Sequence, residues 1–339
     1  MASGADEGDD GGVPGCKCSH PLCVVSPDLK EAAAQVFGLD GATVALGSLF
    51  ATDQFWVGEL NAAADTLTPQ TVGMLDFGNL YAARTGTSYV APGSSERQRR
   101  ILFAFTGWQE PIFKPSLRCE EQGLMRYHVS SGATDRPSTF PTQGLERCCG
   151  QVFPRELGVV NQRLTISPVA ETAKLRAGAA TNGSLAPSGA GARAALAGGI
   201  RLEARLHCTG MDATGSSAGL SLLTPPQGGA ALLEVGYRYG QLYAAHPHVC
   251  ESCPPHTPVR QTAPVSLGPG GALELAVLVD AGVVEAFALP HVALTTLADL
   301  SAFAGDRAVS PSMFSSTAWR RGAGSCEFSS WALQKPDAR

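Results

Sequence analysis

The sequence predicts an all-β protein in which a first group of antiparallel strands is followed by a β-sandwich. Short apolar segments separated by turns recur along the chain, with no long helical period between them. The chain also has 39 glycines and only 16% charged residues, a composition typical of a protein rich in turns. Its 339 residues, 44% of them hydrophobic, are enough for about two domains with buried cores.

The N-terminal part is predicted to be a tail followed by antiparallel strands. Residues 1–37 are predicted to form a disordered, cysteine-containing tail, because the chain begins with an acidic, glycine-rich run. Residues 38–150 are predicted to hold strands near residues 42–50, 55–60, 79–91 and 100–107. Within this region, residues 109–146 contain prolines, serines and charges without a period, which indicates a loop insertion.

The C-terminal part is predicted to be a connecting hairpin, a linker and a sandwich. Residues 151–176 alternate as a hairpin that turns near Asn161, and residues 177–198, rich in Ala, Gly and Ser, are typical of a flexible linker or loop. In residues 199–335, seven or eight strands separated by polar turns favour a β-sandwich. The clearest are residues 199–207, where apolar and polar side chains alternate, and a hairpin around residues 280–282.

Charge, hydropathy and cysteine content restrict the partners and the compartment. The net charge of −5, without a face dense in lysine or arginine, argues against nucleic acid, and no segment is apolar enough to span a membrane. No signal peptide is recognisable, so we expect a cytoplasmic protein or an N-terminally truncated sequence. For the same reason the ten cysteines are interpreted mainly as free thiols.

Four segments resemble, in the right order, the C-terminal half of glycoside hydrolase family 32, the β-fructofuranosidases, invertases and fructan hydrolases. They are Asp76-Phe77-Gly78-Asn79-Leu80-Tyr81-Ala82, then Arg99-Arg100-Ile101-Leu102-Phe103, then Phe153-Pro154-Arg155-Glu156-Leu157, and the hairpin holding Asp280 and Val283-Val284-Glu285-Ala286-Phe287. The resemblance runs, with gaps, from about residue 38 to the C-terminus. It implies about two blades of a five-bladed type of β-propeller before the sandwich, since the 152 residues before Phe153 are too few for five blades.

The resemblance also implies a reaction whose catalytic groups this sequence lacks. Family members cleave fructosyl bonds with retention, using an aspartate nucleophile and a glutamate acid/base, carboxyl groups that must lie ~5–5.5 Å apart. The sequence contains neither the Asn-Asp-Pro of the nucleophile nor the Arg-Asp-Pro of the stabilising aspartate. The segment most similar to the acid/base motif is Val25-Ser26-Pro27-Asp28, which puts Val25 where the glutamate would stand. No catalytic residue is therefore assigned, and the chain alone is expected to be inactive.

Five residues are candidates for contact with a sugar, all by their resemblance to family positions. They are Asp28, Asp76, Tyr81, Arg84 and Trp108. Arg84 stands where the family often has lysine. Trp108 could stack on a sugar ring, but it could equally be a packed aromatic residue at a loop edge. The carboxylates of this region at Asp40 and Asp53 are better explained by turn chemistry.

One loop has the residue types of a zinc site. Cys250 and Cys253 form a Cys-x-x-Cys pair, with His246 and His256 nearby, but a second such pair is absent and the loop is proline-rich. A local disulfide or an ordinary loop explains the pattern as well, so no metal is assigned. No cofactor is expected, because the family's chemistry needs only carboxylates and water.

The sequence thus supports two functions of different classes. The first is a family 32 homologue, by resemblance a hydrolase of sucrose or fructans, present here in a truncated or inactive form. The second is a non-catalytic carbohydrate-binding or structural β-sandwich protein. Which fructoside would be the substrate, and what the protein partners and oligomeric state are, is not determined by the sequence.

Overall fold

The computed structural model describes residues 33–49, 52–61, 63, 66–78, 80–88, 97–107, 149–185, 192–196, 199, 201–223, 231–246, 259–280, 283–297, 310–315 and 324–334. These residues are almost entirely β-strand, which confirms the predicted fold class. The strands are β1 Ala33–Leu39, β2 Ala42–Leu49, β3 Thr52–Asn61, β4 Thr66–Met74, β5 Leu80–Thr87, β6 Arg100–Gly107, β7 Cys149–Gln151, β8 Arg155–Val160, β9 Arg163–Pro168, β10 Arg176–Leu185, β11 Ala192–Ala195, β12 Arg201–Thr209, β13 Ser217–Leu223, β14 Ala231–Arg238, β15 Gln241–His246, β16 Val259–Pro264, β17 Leu273–Asp280, β18 Val283–Ala288, β19 Val292–Leu297, β20 Ser310–Ser315 and β21 Ser325–Leu333. Short 3₁₀-helical segments lie at Ala170–Leu175 and Pro269–Gly271.

The first two sheets have the meander order of propeller blades. The first blade sheet runs β1-β2-β3-β4, and the second runs β5-β6-β8-β9, with β7 pairing the far end of β6. The tight turns suit such hairpins: Asp40 and Gly41 both have positive φ, 51° and 81°, and so do Asn161 and Gln162, 51° and 60°. The described residues form no closed ring of blades.

The two blade sheets are held together by one hydrophobic cluster and by side-chain contacts such as that of Gln35. Gln35 on β1 accepts hydrogen bonds from the backbone N–H and the hydroxyl of Thr85 on β5, at 2.7 and 3.0 Å, and donates to its carbonyl at 3.2 Å. Below this contact, apolar side chains of both sheets are buried together, among them Val44, Phe55 and Leu102. The two sheets are therefore one packed unit, which we call the blade pair.

The sandwich consists of two six-stranded antiparallel sheets. The front sheet has the order β10-β21-β12-β17-β18-β19, and the back sheet has the order β11-β20-β13-β14-β15-β16. The alternation predicted for residues 199–207 is confirmed in β12. Its residues Leu202, Leu206 and Cys208 face the core between the sheets, whereas Arg205 and His207 are exposed on the outer face.

The outer face of the front sheet is half covered by the blade pair. Four of its side chains belong to the hydrophobic cluster of the blades: Ala276, Leu278, Phe287 and Ala293. These lie on β17, β18 and at the start of β19, while the outer faces of β10, β21 and β12 remain open. The blade pair and the sandwich therefore share one buried core at their junction.

The structure differs from the sequence prediction in three places. Residues 33–37 belong to β1 rather than to the tail, and the predicted linker contains most of β10 and all of β11, both paired to sandwich strands. Cys208 and Cys326, expected as free thiols, form a disulfide between the neighbouring strands β12 and β21. The predicted insertion at residues 109–146 lies outside the described residues. Among those residues, no helix is long and apolar enough to cross a bilayer.

Candidate functional site

Asp76 lies in the short connection between the two blade sheets, directly after β4, and its carboxylate is buried. Its Oδ1 accepts the backbone N–H groups of Gly78 and Thr295, at 2.7 and 2.9 Å. Its Oδ2 accepts from the guanidinium of Arg155 and the hydroxyl of Thr295, at 2.8 and 2.7 Å. Because the side chain is only 1% exposed, all of these bonds are made away from water.

Arg155 is the centre of this arrangement. It opens β8, it is completely buried, and its Nε and Nη2 donate to one oxygen of Glu285 on β18, at 3.0 and 2.8 Å. Nη2 also donates to the Thr295 hydroxyl at 2.6 Å, and the second oxygen of Glu285 accepts the backbone N–H of Phe153 at 2.6 Å. We call Asp76, Arg155, Glu285 and Thr295 the junction cluster.

The electrostatics of the junction cluster follow from one cation shared by two carboxylates. Burial would lower the pKa of Arg155, but the attraction of Glu285 and Asp76 outweighs it and raises that pKa, so the guanidinium stays charged. Burial raises the pKa of Glu285, and the Arg155 charge offsets this only in part. With every polar group bonded, the cluster is suited to holding β-sheets together and not to moving protons to a substrate.

Three of the four segments that carry the family resemblance meet in the junction cluster. Asp76, Arg155 and Glu285 are more than 70 residues apart in sequence, yet they form one set of ion pairs. All three lie within the quoted segments, but only Asp76 is predicted from the sequence as a site residue, in contact with a sugar. The structure instead places Asp76 between the blade pair and the sandwich.

The remaining segment, which begins at Arg99, is tied at the surface to the segment that begins at Phe153. Arg99, just before β6, donates through Nε to Glu156 at 2.9 Å and through both Nη groups to Glu171 at 2.6 and 3.0 Å. The hydrogen bonds from Arg99 lower the pKa of Glu171 to about 2. These groups are partly exposed, so they reinforce the junction only modestly.

Of the remaining candidate residues, the structure describes only Arg84, the backbone of Tyr81 and the backbone of His246. Arg84 is exposed on β5 and donates to the carbonyl of its neighbour Ala83 at 3.3 Å, and the backbone of Tyr81 pairs with Phe105. Val25, Asp28 and Trp108 lie outside the described residues, as do three residues of the zinc candidate, Cys250, Cys253 and His256. The fourth, His246, is the last residue of β15. Within the described residues, no group of three metal-binding side chains is close enough to hold an ion.

A second candidate site is a polar groove that was not predicted from the sequence. It lies on the open part of the front sheet's outer face and has a volume of about 760 Å³. Its floor is formed by outward side chains of β10, β21, β12 and β17: Asn182, Ser184, Arg205, His207, Glu274, Glu327 and Ser329. The alternation in the sequence of β12 indicates which face of that strand is exposed to solvent. Only the pairing of strands that are distant in sequence shows that these polar groups are neighbours. We call this feature the front-sheet groove.

Comparison with solved structures relates the fold to fructoside-processing enzymes. A glycoside hydrolase family 32 β-fructofuranosidase from Bombyx mori aligns with a TM-score of 0.52 at 16% identity, over 89% of this chain and 53% of that one. An Aspergillus kawachii β-fructofuranosidase complexed with glycerol aligns with a TM-score of 0.60 at 16% identity, over 87% of this chain and 56% of that one. A sucrose-6-phosphate hydrolase from Lactobacillus gasseri aligns with a TM-score of 0.53 at 13% identity, over 88% of this chain and 54% of that one.

The chain therefore spans about half the length of the solved structures that it matches, consistent with their C-terminal part. At these identities, the similarity establishes a shared fold. No protein-family model matches the sequence, and comparison with curated proteins finds no match either.

Proposed function

We propose that this chain is the C-terminal part of a β-fructosidase-type glycoside hydrolase, which in the whole protein acts on the fructosyl bonds of sucrose or fructans. One observation carries the proposal. Residues identified only by their resemblance to family segments, namely Asp76, Arg155 and Glu285, converge on one buried cluster that fixes the blade pair to the sandwich. Chance similarity in short segments gives no reason for the matched residues to meet in space.

We further propose that the chain does not hydrolyse sugars on its own. A retaining mechanism needs one carboxylate to attack the anomeric carbon and a second to protonate the leaving oxygen, then activate water. The sequence has no Asn-Asp-Pro segment, and the resemblance puts Val25 at the possible acid/base position. The buried carboxylates of the junction, Asp76 and Glu285, accept hydrogen bonds in the interior and are not placed to reach a sugar. Their role in this proposal is to position the blades.

The direct test is a fructose-release assay on the purified chain with sucrose, sucrose 6-phosphate and inulin. We expect no release above the rate without protein, while an active β-fructofuranosidase such as that of Aspergillus kawachii serves as the positive control. The proposal of inactivity is wrong if fructose is released and the rate falls when a carboxylate of this chain, for example Glu59→Gln, is substituted.

A second measurement addresses the assignment to a larger hydrolase. Sequencing the transcript across its 5′ end should show an Asn-Asp-Pro blade and a Glu-Cys-Pro segment upstream of the present residues. If the message instead begins at Met1, the hydrolase assignment reduces to ancestry, and a non-catalytic role is left.

A further inference from the structure

The front-sheet groove combines hydrogen-bond donors and acceptors in two rows that run across the strands. In the first row, Glu327, His207 and Glu274 are partners in register on β21, β12 and β17. In the second row, two residues further along each strand, Asn182, Ser329 and Arg205 are in register on β10, β21 and β12. Strands lie about 4.8 Å apart and alternate residues about 6.8 Å apart, so the rows form a grid of polar groups.

We propose that the front-sheet groove binds a short, uncharged oligosaccharide. A sugar ring presents neighbouring hydroxyls that each donate and accept, so it matches a surface that offers both functions at close spacing. Glu327 and Glu274 supply acceptors, Arg205 supplies donors, and the Asn182 amide supplies both. This inference does not depend on the hydrolase assignment, because binding requires no catalytic group.

The polar groups of the groove are exposed and only lightly engaged. Ser329 donates to the Asn182 side-chain oxygen at 2.7 Å, and His207 Nδ1 lies 3.7 Å from Glu274. Within the described part of the chain, the Glu327 carboxylate makes no hydrogen bond. A ligand can therefore replace water on these groups without breaking a buried network.

Arg205 is held in place by a neighbouring residue of the same strand. Its Nε donates to Glu203 at 2.8 Å, and Glu203 is itself fixed by two bonds of 2.7 Å from Arg176. Arg176 in turn lies over the ring of Trp331, 3.8 Å from its centroid. A guanidinium anchored through Nε keeps its Nη groups for a ligand and loses less side-chain entropy when the ligand binds.

The charge of the groove selects against anions. Two carboxylates, Glu274 and Glu327, face one guanidinium, so there is no excess of positive charge whether or not His207 is protonated. Phosphate and sulfate sites in proteins are built from converging arginines, lysines or helix N-termini. The groove therefore favours a neutral sugar over a sugar phosphate.

The size and the walls of the groove favour an oligomer over a single sugar. Its volume of about 760 Å³ falls within the ~300–1,000 Å³ of clefts that hold drug-sized ligands. On the side of β17 it is bounded by Leu289, which packs against the core of the blades, so the groove runs beside the blade pair. A ligand in it extends along this boundary.

The test is titration calorimetry of the full 339-residue chain with fructo-, malto- and cello-oligosaccharides of three to five units, and separately with inorganic phosphate. We expect at least one of the sugars to bind, and phosphate not to compete with it. The double variant Asn182→Ala with Glu327→Ala should weaken that sugar at least tenfold. The matched control is Glu59→Ala with Gln70→Ala, an exposed carboxylate–amide pair on the first blade sheet, which should change affinity less than twofold.

Hydrogen exchange of the same protein keeps the test independent of the variants. The bound sugar should slow exchange in β10, β21 and β12 and leave β1–β4 unchanged. The proposal is overturned if no sugar of the panel binds, if the groove variant binds as well as the wild type, if phosphate displaces the sugar, or if protection appears only elsewhere.

Discussion

Two buried glutamates of this chain show how the number of neighbouring cations shifts the pKa of a carboxylate. Glu203 lies between Arg176 and Arg205; burial alone would raise its pKa, but the hydrogen bonds from both arginines lower it below its ordinary value. Glu285 shares the single cation Arg155 with Asp76, and its pKa is raised. Two arginines thus lower the pKa of Glu203, whereas one shared arginine leaves the pKa of Glu285 raised.

Substitution of Glu203 should therefore have an effect that depends on pH. Because its pKa is lower in the folded protein than in the unfolded chain, its contribution to stability is present above the ordinary value of 4.5 and is lost as the pH falls through the folded value. We expect Glu203→Gln to lower the free energy of unfolding by about 1.5–3 kcal/mol at pH 7, and by progressively less below pH ~4.5. Urea unfolding across this range measures the difference.

The control for this experiment is Glu327→Gln, an exposed carboxylate on the same face of the front sheet. It should change stability by less than about 0.5 kcal/mol at any pH. A loss for Glu203→Gln that is constant from pH 7 to pH 3.5 would show that packing, and not ionisation, explains its effect.

At the scale of strands, two neighbouring strands of the front sheet are joined by a covalent bond as well as by backbone hydrogen bonds. The disulfide Cys208–Cys326 links β12 to β21, and it closes a segment of 118 residues that contains most of the sandwich. A cross-link over so long a segment restricts the unfolded chain strongly. The last strand, β21, is thereby retained between β10 and β12.

Replacing both cysteines by alanine should lower the free energy of unfolding by about 2–5 kcal/mol. Urea unfolding of the wild type with reductant should give the same loss, and reductant should leave the double variant unchanged. Peptide mapping without reduction should recover the Cys208 and Cys326 peptides as one linked species. Their recovery as two free thiols would contradict the structure.

The strands that the sequence predicts are those whose side chains alternate or carry large apolar residues. Residues 100–107 and the hairpin of β17 and β18 are found where they were predicted, because the pattern of burial is local. β10 and β11 were interpreted as a linker because small residues dominate them. Gly183 shows the reason: a Cβ there would lie 2.5 Å from the ring of Phe328 on the neighbouring strand. That constraint comes from a residue 145 positions away and leaves no local signal.

The candidate site was predicted less well, for a similar reason. Asp76 was recognisable by its segment, but its role follows from Arg155 and Glu285, whose proximity depends on how three sheets are arranged. The front-sheet groove depends on strand order: β21 lies between β10 and β12. Neither arrangement can be derived from alternation or spacing along the chain.

At the scale of the molecule, the blade pair and the sandwich should unfold together. Phe287 lies on a sandwich strand, is completely buried in the core of the blades, and has the Arg155 guanidinium 5.0 Å from its ring centroid. We expect Phe287→Ala to lower the free energy of unfolding by about 3–5 kcal/mol. Hydrogen exchange should show faster exchange of backbone amides in both parts, in β5–β9 as well as in β12 and β17.

The matched control is Phe103→Ala on β6, whose side chain is 45% exposed and which should cost less than about 1 kcal/mol. If Phe287→Ala accelerates exchange only in the sandwich strands and leaves the blade sheets protected, the two parts are independent units and the shared core does not couple them.

The junction cluster also constrains how the protein is made on the ribosome. Glu285 follows Arg155 by 130 residues, so at ordinary rates of synthesis it leaves the ribosome roughly ten seconds later. During that interval the nascent blade strands have Arg155 without one of its two carboxylates, and their apolar side chains lack Phe287 as a cover. We therefore expect the nascent blade pair to be prone to aggregation until β18 has been synthesised.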